Sequence, residues 1–145
     1  MFREMYLELT VLFGYLQSLS LLLARVSVAY GFFKPALVKW ENLDATSTWF
    51  HKLGIPMSDF FAFITASSEI IGVVLLFLGL FTRYISIPLM IVMLVAIFAV
   101  HIEHGFSAGN GGLEIPLYYF IFLSIFVTYG AGRFSLDSII FGKDR

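Results

Sequence analysis

Residues 60–100 read FFAFITASSEIIGVVLLFLGLFTRYISIPLMIVMLVAIFAV, a run whose only acidic or basic side chains are Glu69 and Arg83. A membrane-spanning helix needs about 20 mostly apolar residues, and this run holds two of them, predicted over about 60–81 and 84–100. Helix is the expected form because hydrocarbon offers the backbone no outside hydrogen-bond partner. Gly79 and the short Thr82-Arg83 step divide the two spans so tightly that they must be antiparallel neighbours. Pro88 falls in the first turns of the later span, where a missing N–H is tolerated.

The same reading extends outward in both directions. A first span is predicted over about 7–33 and a fourth over about 115–129. The first is too long for the apolar core of a signal peptide and lacks a small-residue cleavage site, so it is expected to be retained. Glu114 and Pro116 suit a helix start, and Gly130 and Gly132 close the last span. The expectation is therefore an all-α, polytopic membrane protein: one domain over 1–145, built as a four-transmembrane-helix bundle.

Composition agrees. The 145 residues are 59% hydrophobic and 13% charged, with mean hydropathy +0.90, whereas soluble domains carry about a quarter charged residues. So much apolar surface does not fit inside one small core. Nine Lys+Arg against ten Asp+Glu leave no basic footprint, which excludes nucleic acid as a partner and leaves the lipid bilayer. Cysteine is absent, which removes disulfides, thiol nucleophiles and thiolate metal sites. Any redox role must then use a bound cofactor or a partner.

Between the first two spans, residues 42–54 suggest a short helix capped by Asp44, with Trp49, Phe50 and Leu53 on one face and Gly54 past its end. With Trp40 nearby, this segment is expected to lie in the membrane interface of the first outer loop. Arg3, Arg83, Arg133, Lys143 and Arg145 fall on one side, and Lys34, Lys39 and Lys52 on the other. That bias places both termini in the cytoplasm.

Two charges lie inside predicted spans, where each is costly unless paired or wetted. Arg25 is about 12 Å from the outer end of span one, and Glu69 about 14 Å into span two. The opposite directions of the spans bring them level, so Arg25 and Glu69 are expected to pair. Stripes of small and polar residues accompany them: Ala62, Thr65, Gly72 and Gly79 beside Glu69, and Gly14, Ser18 and Ala29 beside Arg25. The pair reads either as a register device or as a polar pocket for a ligand such as a quinone carbonyl. Tyr118, one turn beyond Glu114, and Tyr30 could add phenols at that level. Met90 and Met93 read as core filling.

A second cluster, His101, Glu103, His104 and Glu114, lies at the outer mouth, separated by a glycine-rich stretch that could fold back over the bundle. It reads as a hydrated loop, a proton- or ligand-handling group, or a metal site with His101 and His104 as ligands, imidazole suiting copper or zinc. His51 could join only if the outer loops converge. No histidine lies within a span to ligate haem.

Four runs in order, LLLARVSVAYGFFKPALVKW, SSEIIGVVLLFLGLFTRYISIPLMIV, HIEHGFSAGNGGLEIPLYY and GAGRFSLDSIIFG, resemble the DoxX family of small four-helix bacterial membrane proteins over about residues 20–142. The IPLMIVM and EIPLYY runs are most similar to its HvfX-like branch. The resemblance implies a bacterial inner-membrane protein associated with oxidoreductase systems, one relative being a subunit of a thiosulfate:quinone oxidoreductase. It also implies, for the HvfX-like branch, a link to copper-binding ribosomal peptides. Arg25, Lys39, Glu69, Arg83, His101 and Glu114 match the family's recurrent polar positions.

Two functional expectations follow. One is a non-catalytic or quinone-linked subunit of a membrane oxidoreductase system, working with a protein partner or as a homo-oligomer. The other is an accessory protein of a copper-peptide pathway, or a small transporter, although no inverted repeat relates the two halves.

Overall fold

The computed structural model describes residues 2–142, and every regular element among them is helical. Lys143 and Arg145 of the charge bias lie outside the described residues. Helix α1 spans Phe2–Glu41, α2 Leu43–Lys52, α3 Ser58–Leu78, α4 Thr82–Ala96, α5 Glu114–Tyr129 and α6 Leu136–Ile140. A π turn, Ile97–His101, and a 3-10 turn, Ile102–His104, prolong α4. Three helical segments, Phe2–Glu41, Ser58–Leu78 and Thr82–His104, are long and apolar enough to cross a membrane, and α5 is a shorter apolar helix of 16 residues.

Helix α1 packs on α3, α3 on α4, α4 on α5, and α5 back on α1. The expected antiparallel pairing across Gly79 is thus present. The core where these helices meet is built from Leu21, Val28, Phe32, Leu76, Leu89 and Phe126, among others. Met93 belongs to it and Met90 packs against it, in line with their reading as filling. Gly72 lets α3 approach α4 closely, since a Cβ there would meet the Leu89 side chain at 2.7 Å. The buried stripe of α3 is Ala62, Ala66, Glu69, Gly72 and Leu76, close to the expected one. On α1, Ser18, Arg25 and Ala29 are buried as expected, whereas Gly14 is exposed.

The first helix departs most from expectation. It does not stop at Phe33 but runs through Lys34 and Pro35 to Glu41. Proline removes one helical hydrogen bond and disfavours the preceding turn, yet burial of Phe32 and Ala36 on either side holds the helix together. The loop helix α2 exists, but it opens at Asn42 and not at Asp44. Thr46, Ser47 and Phe50 are its buried residues, while Trp49 is 42% exposed. Ser47 donates to the Asp59 carboxylate, fastening α2 to the start of α3.

The α3–α4 turn is closed from a distance. Gly79 takes φ 68 and caps α3, and Phe81 is held at φ 49, a region costly for a side chain with a Cβ. The Asp137 carboxylate accepts the N–H groups of Phe81 at 2.7 Å and Thr82 at 3.1 Å. It thereby satisfies two orphan donors at the positive end of α4.

Candidate functional site

Both predicted intramembrane charges are buried, Arg25 at 0% exposed and Glu69 at 1%, but they do not pair. Arg25 donates from Nη1 to the Leu76 carbonyl at 3.1 Å and from Nη2 to the Phe134 carbonyl at 2.6 Å. Glu69 instead receives Lys39 Nζ on both carboxylate oxygens, at 2.9 and 2.8 Å. The reason is register. The first helix ends eight residues later than expected, which sinks Arg25 by about 12 Å relative to that end. Arg25 therefore meets α3 near Leu76, seven residues and about 10 Å beyond Glu69.

Each charge has a distinct electrostatic setting. Leu76 lies in the last turn of α3, where its carbonyl also accepts the Gly79 N–H at 3.2 Å and the helix end is negative. A guanidinium fork suits two divergent carbonyls better than an ammonium would. It also ties the chain after α5 to the bundle, because Phe134 belongs to that segment. Ser18 Oγ accepts from the Arg133 N–H at 3.4 Å, Ser135 caps α6, and a Cβ at Gly79 would overlap Arg25 Nη1. Arg25 is thus a structural clasp.

Lys39 and Glu69 form the more open site. Lys39 keeps 22% of its side chain exposed. Its two contacts to Glu69 leave the ammonium capacity for a third acceptor. Below the pair, α1 and α3 enclose an apolar groove lined by Ala29, Tyr30, Phe33, Val73 and Phe77, open at the surface. Val73 lies one turn from Glu69 on α3. The groove and the ion pair therefore occupy one seam between the two helices.

Of the predicted phenols, Tyr30 lines the groove from its exposed rim, and Tyr118 is not part of it. Tyr30 is 82% exposed and Tyr118 is 46% exposed. The inward tyrosine is Tyr119, stacked on Phe32 with ring centroids 5.3 Å apart, its hydroxyl lying where a Cβ of Gly31 would stand. One residue on a helix is about 100° of rotation, which separates the two faces.

The outer cluster is committed to loop structure. His101 Nδ1 lies 2.6 Å from the Gly111 carbonyl and His104 Nδ1 lies 3.0 Å from the Val100 carbonyl. Glu114 accepts the Ala108 N–H at 2.9 Å, and Glu103 is exposed. The glycine stretch folds on itself, with Leu113 donating to the Gly105 carbonyl and Gly112 packed against the backbone of Gly105 and Phe106. Among the described residues, no three His, Asp or Glu side chains come together in a way that could hold a metal ion.

Sequence reasoning does not single out Tyr119, Phe134 and Asp137, and it gives Lys39 as an outer-side charge and a recurrent family position but not as the partner of Glu69. For Lys39 a signal existed. Arg25, Ala29, Phe32, Ala36 and Lys39 continue one helical stripe once the helix is allowed through Pro35.

The DoxX family model matches residues 20–102, which include Arg25, Lys39 and Glu69. The chain belongs to the DoxX family. Among similar proteins, an uncharacterised one from Haemophilus influenzae is 32% identical over 129 residues, covering 83% of both chains. The "Putative oxidoreductase CatD" of Bacillus subtilis is 32% identical over 121 residues, covering 83% of this chain and 86% of its own. A second uncharacterised Haemophilus influenzae protein is 34% identical over 124 residues, covering 82% and 89%. No solved structure matches. The DoxX match stops before Glu114, Tyr119 and the clasping segment around Phe134 and Asp137.

Proposed function

We propose that this DoxX protein is a quinone-linked subunit of a bacterial inner-membrane oxidoreductase system, with Lys39 and Glu69 as its ligand site. The observation that carries the reading is the Lys39–Glu69 pair, with Glu69 1% exposed in the middle of α3 and Lys39 reachable. Ionisable residues at that depth are expensive and mark sites by default. In this reading α5 is a fourth span despite its length, α2 lies in the outer interface, and both termini face the cytoplasm. The α1–α3 groove accepts an isoprenoid tail while the third N–H of Lys39 donates to a ring carbonyl. Glu69 keeps the ammonium charged and in place. A bound quinone supplies the electron-carrying chemistry, and with no cysteine in the chain the electrons come from a protein partner. The name of the Bacillus subtilis relative supports the oxidoreductase class of this reading and nothing finer.

The test uses the double variant Lys39→Met with Glu69→Leu, because removing both charges leaves neither stranded. Native mass spectrometry of protein gently extracted from its own membrane is expected to show stoichiometric quinone on the parent and none on a folded double variant. Equal quinone on both would sink the reading.

A further inference from the structure

Ser18 is the first buried residue of α1, and residues 2–17 are exposed throughout. At 1.5 Å per residue, roughly 24 Å of helix therefore stands beyond the end of the bundle where α3 turns into α4. A helix of that length is marginal on its own hydrogen bonds, and this one is studded with exposed Leu, Phe, Tyr and Val. Met5, Leu9, Leu12, Leu16, Leu19 and Leu23 follow one another in alternating steps of four and three, and each is between 43% and 60% exposed. This is the 3.5-residue repeat of a coiled-coil seam. It runs about half a turn round the helix from the buried face of Ser18, Leu21, Arg25 and Val28, so the chain's own bundle cannot cover it.

We propose that this seam is the contact between two copies of the chain, their α1 helices packed in parallel. A ridge of leucines at both seam positions is complementary to itself. Copies of a membrane-spanning chain insert with one orientation, so their α1 helices run the same way and each seam residue meets its own counterpart. Between Glu8 and Lys34 the helix carries no charge except the inward Arg25. From Leu9 to Leu23 no like charges therefore oppose each other along the seam, and Glu8 is the one charge that flanks it, near its N-terminal end.

The absence of cysteine makes the test direct. Single variants Leu9→Cys, Leu12→Cys and Leu16→Cys on the seam, with Val11→Cys and Gly14→Cys on the opposite face, are oxidised in native membranes. These side chains are exposed, and a Cβ at Gly14 meets nothing within 4 Å, so the substitutions disturb no contact within the chain. The seam variants are expected to give at least about fivefold more disulfide-linked dimer than the controls, at twice the chain mass. Linking that is absent or equal on both faces, or an adduct to a different chain, overturns the proposal. Leu12→Arg is expected to halve the particle mass in mild detergent by light scattering, and an unchanged mass counts against the proposal.

Discussion

Gly79 shows how much one position can hold. Its φ of 68 lies in the left-handed region, and Arg25 and Ser135 occupy the space a side chain would need. Gly54 shares the backbone conformation, φ 77, with nothing within 4 Å of its missing Cβ. Gly54→Ala is expected to cost only the backbone strain, about 1–2 kcal/mol. Gly79→Ala adds displacement of a buried guanidinium and should cost more than about 4 kcal/mol. Thermal unfolding of both variants in one detergent compares them, and equal losses would show that the Arg25 contact contributes nothing. At this scale the sequence was partly legible. Small residues at 62, 72 and 79 announced a close-packed face. The choice of Tyr119 over Tyr118 did not show, because α5 is apolar all round and offers no periodicity to orient it.

The elements follow the apolar pattern where their ends are punctuated, as at Gly79, Glu114 and Gly130, and depart from it where they are not. Helix α1 passes through Lys34 and Pro35, the two residues that looked like its end, because its far turns pack against α3. The last segment depends on a partner far away in sequence. Arg25 holds the Phe134 carbonyl, and Asp137 holds the start of α4. An Arg25→Lys substitution cannot keep both carbonyls, and a charge-assisted bond of this kind contributes about 1.5–3 kcal/mol. Trypsin cleavage after the exposed Arg133 is then expected to rise by about tenfold or more through local opening. Unchanged cleavage kinetics in membranes opened to the protease would show that the clasp is not what orders this segment.

At the scale of the whole molecule, the Lys39–Glu69 pair joins two helices. Lys39→Met alone strands the buried Glu69 carboxylate and is expected to cost about 3–5 kcal/mol, whereas Glu69→Gln leaves the part-exposed Lys39 and should cost less. The double variant Lys39→Met with Glu69→Leu should recover most of that loss. A double variant as unstable as the sum of the singles would mean that the two residues act independently, and the site would lose its basis.

The amino-acid sequence by itself determined the solvent of this protein, its helical class and the turn between α3 and α4. Those follow from local apolar density and from glycine and proline, which act within a few residues. It also marked Arg25 and Glu69 as charges out of place. Which partner each would find was decided only by the tertiary structure. Ion pairing between helices depends on their relative axial register, and a difference of eight residues in where α1 ends moves that register by about 12 Å. That distance is several times the reach of a hydrogen bond, so Glu69 went to Lys39 and Arg25 to the carbonyls of Leu76 and Phe134.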